Sequence, residues 1–160
     1  MFHSFEKTYA PVLNSAIRGI LPLAGCSFSL MTDRTFVAYH SDELGEFMSN
    51  MLGSGSTASV SVTYYKERKL NVEFYFAREL GREVSSLLRQ ALDRFDDHKI
   101  DRVDYAPYRA GSTDTMFGLW LEGVDERNFA NSLNLLFASA TFILTTTRNL
   151  LSARILDEEE

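Results

Sequence analysis

TASVSVTYYKERKLNVEFYF, residues 57–76, is the stretch that decides the fold class. In its first arm Ala58, Val60, Val62 and Tyr64 alternate with Thr57, Ser59, Ser61, Thr63 and Tyr65. In its second arm Leu70, Val72, Phe74 and Phe76 alternate with Asn71, Glu73 and Tyr75, and the charged KERK lies between. Successive side chains of a strand point to opposite faces, so each arm has one apolar and one largely polar face. A buried parallel sheet would read as a continuous apolar run. This alternation therefore predicts an antiparallel hairpin with one face on a core and the other toward water or a partner.

Working outward, the neighbouring segments supply more hairpins and the helices to cover them. Upstream, CSFSLMTDRTFVAYH reads as a second hairpin turning at Asp33-Arg34. Ser41 or Asp42 then caps a short helix, DELGEFMSNML, which GSGS at residues 53–56 closes. At the amino end, Phe5, Tyr9, Val12, Leu13, Ala16, Ile17 and Ile20 make a helical stripe from about Ser4 to Leu23. Pro11 leaves two readings there: a late start capped by Thr8, or a kink. Pro22 and Gly25 are expected to end it.

Downstream, Leu80, Val84, Leu87, Leu88, Ala91, Leu92 and Phe95 form one face of a helix from Arg78 to about His98. Strands follow near Arg102–Tyr108 and Met116–Gly123. Asp125 then caps a long last helix. The expected class is α+β, with a mostly antiparallel sheet built from hairpins and the order α-ββ-α-ββ-α-ββ-α. One domain spans residues 1–156, and the acidic residues 157–160 form a frayed tail, since negative charge is unfavourable at a helix carboxyl end.

Composition narrows the function classes. Apolar residues make up 45% and aromatics 12% of 160 residues, which is globular usage. The net charge of −6 opposes binding to a phosphate backbone, so no nucleic-acid partner is expected. Cys26 is the single cysteine, which rules out an intramolecular disulfide and suggests a reducing, cytoplasmic setting. MFHSFEKTYAP lacks the basic and apolar regions of a secretory signal. The run Asn128–Thr147 holds no charge, but its Asn and Thr content argues for a buried or interface helix over a membrane span.

Catalytic and metal-binding constellations are weak. Asp96, Asp97, His98 and Asp101 in DDHKID have ligand chemistry, yet three ligands crowded at one helix end rarely converge on a metal. His40, Ser41 and Asp42 include the residue types of a triad, but consecutive residues at a strand-to-helix junction read more simply as a cap. GSGS lacks the Gly-Lys-Ser/Thr ending of a phosphate loop. Arg78, Arg82 and Arg89 share a helical stripe among Glu79, Glu83 and Asp93, a mixed solvated face. No cofactor, metal or catalytic residue is expected.

A helix on the outside of a monomer this small should show a charged face, and the last helix shows none over 20 residues. Either it runs through the core or its second face meets another chain. Phe129, Leu133, Phe137 and Ile143 are the residues expected to meet a partner or a second copy, with Tyr65 and Tyr75 on the polar sheet face. The function expected is that of a non-enzymatic protein-binding module, a chaperone, adaptor or assembly subunit, acting as a homo-oligomer. The alternative is a small-ligand or sensory domain with a pocket between sheet and helices near Trp120, Tyr105 and Tyr108.

In architecture the chain resembles type III secretion chaperones. SFEKTYAPVLNSAIRGIL would be their first helix, RELGREVSSLLRQALDRF the middle one, and MFGLWLEGV would lead into DERNFANSLNLLFASATFIL as the last. The resemblance implies a cytoplasmic homodimer that binds an unfolded stretch of another protein and has no catalytic residues. DELGEFMSNML is an extra helix relative to that pattern. The first half also looks like roadblock or longin-type scaffolds.

Overall fold

The computed structural model describes residues 5–20, 25–52, 58–76, 82–95, 101–107 and 115–159. The elements run α1 (Phe5–Arg18), β1 (Ser29–Thr32), β2 (Phe36–Ser41), α2 (Asp42–Leu52), β3 (Ala58–Tyr65), β4 (Leu70–Phe76), α3 (Arg82–Arg94), β5 (Asp101–Pro107), β6 (Thr115–Leu121) and α4 (Phe129–Glu159). This is the expected α+β order. Six strands form one sheet in the order β1-β2-β3-β4-β6-β5, and every pairing is antiparallel. The last hairpin enters with its second strand inside, so α3 carries the chain across to an outer edge at β5.

The hairpin that decides the fold pairs Val60 with Phe74, Val62 with Val72 and Tyr64 with Leu70. Val37, Tyr39, Leu119 and Leu121 extend those rows across β2 and β6. All these residues are buried in one cluster with Leu13 and Ile17 of α1, Leu44 of α2, Leu88 and Leu92 of α3, and Leu133, Leu136, Ile143 and Leu144 of α4. The four helices therefore share one face of the sheet. The alternate strand residues, from Phe36 and His40 to Glu73 and Trp120, contribute nothing to that cluster.

Local chemistry sets the boundaries. Pro11 sits inside α1, which begins at Phe5 and not after a cap at Thr8. Without an N–H it cannot bond the carbonyl of the preceding turn, yet the stripe of Leu13 and Ile17 is buried and outweighs that loss. The helix ends at Arg18, earlier than Leu23: Gly19 and Ile20 close it with bonds to Ser15 and Ile17. Ser41 is the cap of α2, its Oγ accepting the Leu44 N–H at 3.0 Å. In the β1–β2 turn, the Asp33 carboxylate accepts the Thr35 N–H at 3.3 Å. Before α4, Asp125 Oδ1 accepts the Arg127 and Asn128 N–H groups, while Asn128 Oδ1 accepts the Asp125 N–H.

The helix α4 is 31 residues and about 46 Å long, and its backbone stays helical to Glu159, where a frayed tail was expected. Its stretch Phe129–Ala153 has a mean hydropathy of 1.3, apolar and long enough by composition to cross a membrane. One side of it is packed on the sheet. Ser139 and Thr147, buried on that side, donate their hydroxyls to the Leu135 and Ile143 carbonyls one turn back. An aromatic knot of Phe5, Tyr9, Tyr64 and Phe129 joins α1, β3 and α4, with ring centroids 4.9–5.7 Å apart. Tyr64 donates its hydroxyl to the Val124 carbonyl at 2.6 Å, and burial pushes its pKa up to about 12.

Candidate functional site

Two surfaces carry what the core does not use. The first is the helix-free face of the sheet. Register places Ser29, His40, Ser61, Glu73 and Gly118 in one row across it, and Met31, Ala38, Thr63, Asn71, Trp120 and Asp101 in the next. These are the alternate residues of the strands, gathered by pairing onto one face, with Ala38, Thr63 and Asn71 buried within it.

His40 lies between two partners on this face. Its Nδ1 is 3.0 Å from Ser61 Oγ, and its Nε2 is 3.1 Å from Asp42 Oδ1. A carboxylate accepts only, so Nε2 donates to Asp42; in the neutral imidazole Nδ1 then accepts the Ser61 hydroxyl. This differs from the sequence grouping of His40, Ser41 and Asp42: Ser41 turns inward to cap α2, and Ser61 of the neighbouring strand takes its place. The chain of Ser, His and Asp has the hydrogen-bond order of a hydrolytic triad. However, β3 is paired on both sides, so the N–H groups around Ser61 are spent in the ladder and offer no oxyanion donors. Only cross-strand register could have joined Ser61 to His40 in advance.

Beside that chain is a second network. Asn71 donates its Nδ2 to Glu73 Oε1 at 3.2 Å, and Tyr75 donates its hydroxyl to Glu73 Oε2. Glu73 thus has both carboxylate oxygens held by neutral donors, and among the described residues no cation pairs with it. Asn71 is 6% exposed, and its Oδ1 is buried without a hydrogen-bond partner. Across from Asn71, the Trp120 ring carries the Lys69 ammonium 4.5 Å from its centroid. At the other end Phe36 and Tyr65 pack with centroids 6.1 Å apart. Burial, then the Glu73 and Glu67 carboxylates, hold the Tyr65 hydroxyl above its usual pKa.

No protein-family model matches the chain, and neither a curated protein nor a solved structure is significantly similar to it. Function is therefore argued from the surfaces themselves.

The second surface is the outer side of α4. Phe129, Leu133, Phe137 and Ile143, expected at a partner contact, are all buried against the sheet and helices of their own chain. The exposed apolar residues of this helix lie on the opposite side: Leu135 is 37% exposed and Phe142 57% exposed, with exposed Ala138 between them. The sequence pattern showed an unusual helix but could not show which of its two uncharged sides the sheet would take. Next to its amino end, α1 and α4 enclose an open groove of about 460 Å³ lined by Pro11, Val12, Ser15, Ala16, Phe129 and Ala130, with Glu126 at its rim.

The remaining sequence candidates separate. Tyr65 and Tyr75 both stand on the helix-free face, but toward opposite ends, paired with Phe36 and Ser59. Trp120 is on that same face, which removes it from a pocket between sheet and helices. Asp101 opens β5, whereas Asp96, Asp97, His98 and Tyr108 lie outside the described residues; Tyr105 is within β5. Among the described residues no group of three acidic, His or Cys side chains could hold a metal.

Proposed function

We propose that the protein is a non-enzymatic protein-binding module that works as a homo-oligomer through the outer face of α4. The observation that carries this reading is the exposed, uncharged stripe of Leu135, Ala138 and Phe142 on a helix whose inner face is already filled. The three residues recur at spacings of three and four, which is the seam spacing of two packed helices. The occupant is a second copy of the chain. With a net charge of −6, two copies repel over most of their surfaces. The stretch 128–147 lets like meet like without opposing charges, and a two-fold contact is self-complementary by symmetry.

The helix seam alone would bury less than the roughly 1,200–2,000 Å² of a stable interface. The groove between α1 and the amino end of α4 offers further area for the contact. The resemblance to type III secretion chaperones points the same way and stands on element order alone. In this reading the chain acts in a reducing, cytoplasmic compartment, as its lone cysteine suits.

The test is native mass spectrometry and light scattering on the wild type and on Leu135→Asp/Phe142→Asp. The wild type should be a dimer and the variant a folded monomer, because both side chains are exposed. A monomeric wild type, or a variant that stays dimeric, sinks the proposal. The same charges at Phe137 or Ile143 would unfold the protomer and so could not test it.

A further inference from the structure

The outer side of α4 carries a pattern longer than its three apolar residues. Asn131, Leu135, Ala138, Phe142, Thr145 and Asn149 are all exposed, and they follow one another at steps of four, three, four, three and four. That is the alternation of the two seam positions in a pair of supercoiled helices, sustained here over about 27 Å. Between Asn128 and Ala153 the one charged residue is Arg148, which stands outside the series. Phe142 is the largest side chain in it, and Phe95, just past α3, braces its ring from one side with centroids 6.3 Å apart.

Two copies can close this seam in two symmetric ways. In a parallel pair each residue faces its own copy. A layer of two Phe142 rings would then lie about 6 Å along the axis from a layer of two Ala138 methyl groups, and the rings would hold the helices apart where the alanines need them close. The last turns, Asp157–Glu159, carry negative charge and no basic residue, and would also lie side by side.

An antiparallel pair removes both conflicts. With the two-fold axis level with Ala140, Phe142 faces Ala138 of the partner subunit and Ala138 faces Phe142 of the partner subunit, so both layers are one ring against one methyl. Leu135 then faces the partner's Thr145, and Asn131 faces the partner's Asn149, where two carboxamides can each donate and accept. Sliding one helix by seven residues keeps the seam but sets Asn149 against Ala138, or Asn131 against Phe142, and the amide loses its partner. A polar residue within an apolar seam fixes register in this way.

We propose that the second copy docks on α4 antiparallel, with Phe142 over Ala138 of the partner subunit and Asn131 against Asn149 of the partner subunit. This rests on the dimer reading given above and adds to it the orientation and the contact pairs.

The test is disulfide trapping in full-length chains whose Cys26 is replaced by Ala. Asn131→Cys and Asn149→Cys both change exposed positions and should leave the protomer folded. One of the two chains is grown with nitrogen-15, so that mass tells them apart. Mixed and mildly oxidised, they should give heavy–light dimers joined from 131 to 149. Neither chain alone should crosslink, because its two copies of the cysteine lie about 27 Å apart across the axis, far beyond disulfide reach. Crosslinking of either chain with itself means parallel helices and overturns the proposal. A native dimer that forms no mixed crosslink overturns it as well, while the dimer itself stands; a monomeric wild type removes both. The packing is tested separately with Cys26 in place. Ala138→Phe and Phe142→Ala should each weaken dimerisation at least about tenfold, and the double exchange, which restores one ring against one methyl in each layer, should recover most of the loss. A double exchange that dimerises no better than the single changes overturns the pairing.

Discussion

The two faces of the sheet are made from alternate residues of the same strands, yet they are finished to different standards. On the helix-covered face the buried rows are apolar apart from Ser41, which caps α2, and the phenols of Tyr39 and Tyr64. Their hydroxyls reach out to the Ala10 and Val124 carbonyls. On the helix-free face polar groups are joined in threes, His40 with Ser61 and Asp42, Glu73 with Asn71 and Tyr75, and among the described residues one buried acceptor, Asn71 Oδ1, is left over. The lesson is that the covered face is built by apolar packing, while the other is tied together by side-chain hydrogen bonds.

The sharpest way to break that comparison is to truncate neighbours on opposite faces of β4. Phe74→Ala removes a fully buried ring and should cost about 3–5 kcal/mol in urea unfolding. Tyr75→Ala, one residue on, loses an exposed-side ring and a hydrogen bond and should cost about 1 kcal/mol. Equal losses would mean that both faces are core and that the helix-free face is not a free surface.

How far the sequence foretold this follows from the same alternation. Period-two patterning in residues 57–76 is dictated by the pleat, so hairpins, sheet class and the buried rows were legible. Capping at Asp125 was legible, and at Ser41 or Asp42 without a choice between them, because a helix start needs acceptors within three residues. The strand order β4-β6-β5 was not, because it depends on contacts far apart in sequence. The same gap hid the pairing of Ser61 with His40. In α4 the failure was one of degeneracy: Leu133, Phe137 and Ile143 form one apolar side and Leu135, Ala138 and Phe142 another. Nothing local distinguishes them until the sheet selects one.

A second test concerns how the covered face manages its buried hydroxyls. The Tyr64 pKa is raised to about 12 from an ordinary value of 10, chiefly by burial. The folded state thus favours the neutral phenol. The stability that this confers is complete below pH 10 and is lost as pH rises through 12. The loss amounts to about 2–3 kcal/mol, taking 1.36 kcal/mol for each pH unit. Tyr39, also raised by burial, contributes in the same direction. Denaturation followed from pH 9 to 12 should steepen over that window, and Tyr64→Phe should flatten it.

A smaller effect, of opposite sign, sharpens the comparison from the other side. If the unpaired Asn71 carbonyl is a net cost, Asn71→Leu should stabilise the protein by about 1–2 kcal/mol. A loss of stability would mean that the Asn71 bond to Glu73 matters more than the orphaned oxygen.

The smallest predicted difference separates two serines of neighbouring strands, Ser41 of β2 and Ser61 of β3. Ser41 is buried and caps α2 through the Leu44 N–H, a donor that has no alternative partner once the hydroxyl is gone. Ser41→Ala should cost about 1 kcal/mol or slightly more. Ser61 bonds only His40 Nδ1, on a half-buried face where water can replace it. Ser61→Ala should cost about 0.5 kcal/mol. Its larger consequence is local: the imidazole keeps Asp42 on Nε2 but loses its partner at Nδ1, which the nitrogen chemical shifts of His40 would report. If Ser61→Ala proves as destabilising as Ser41→Ala, the Ser61–His40–Asp42 chain is a structural brace, and that part of the helix-free face supports the fold as the covered face does.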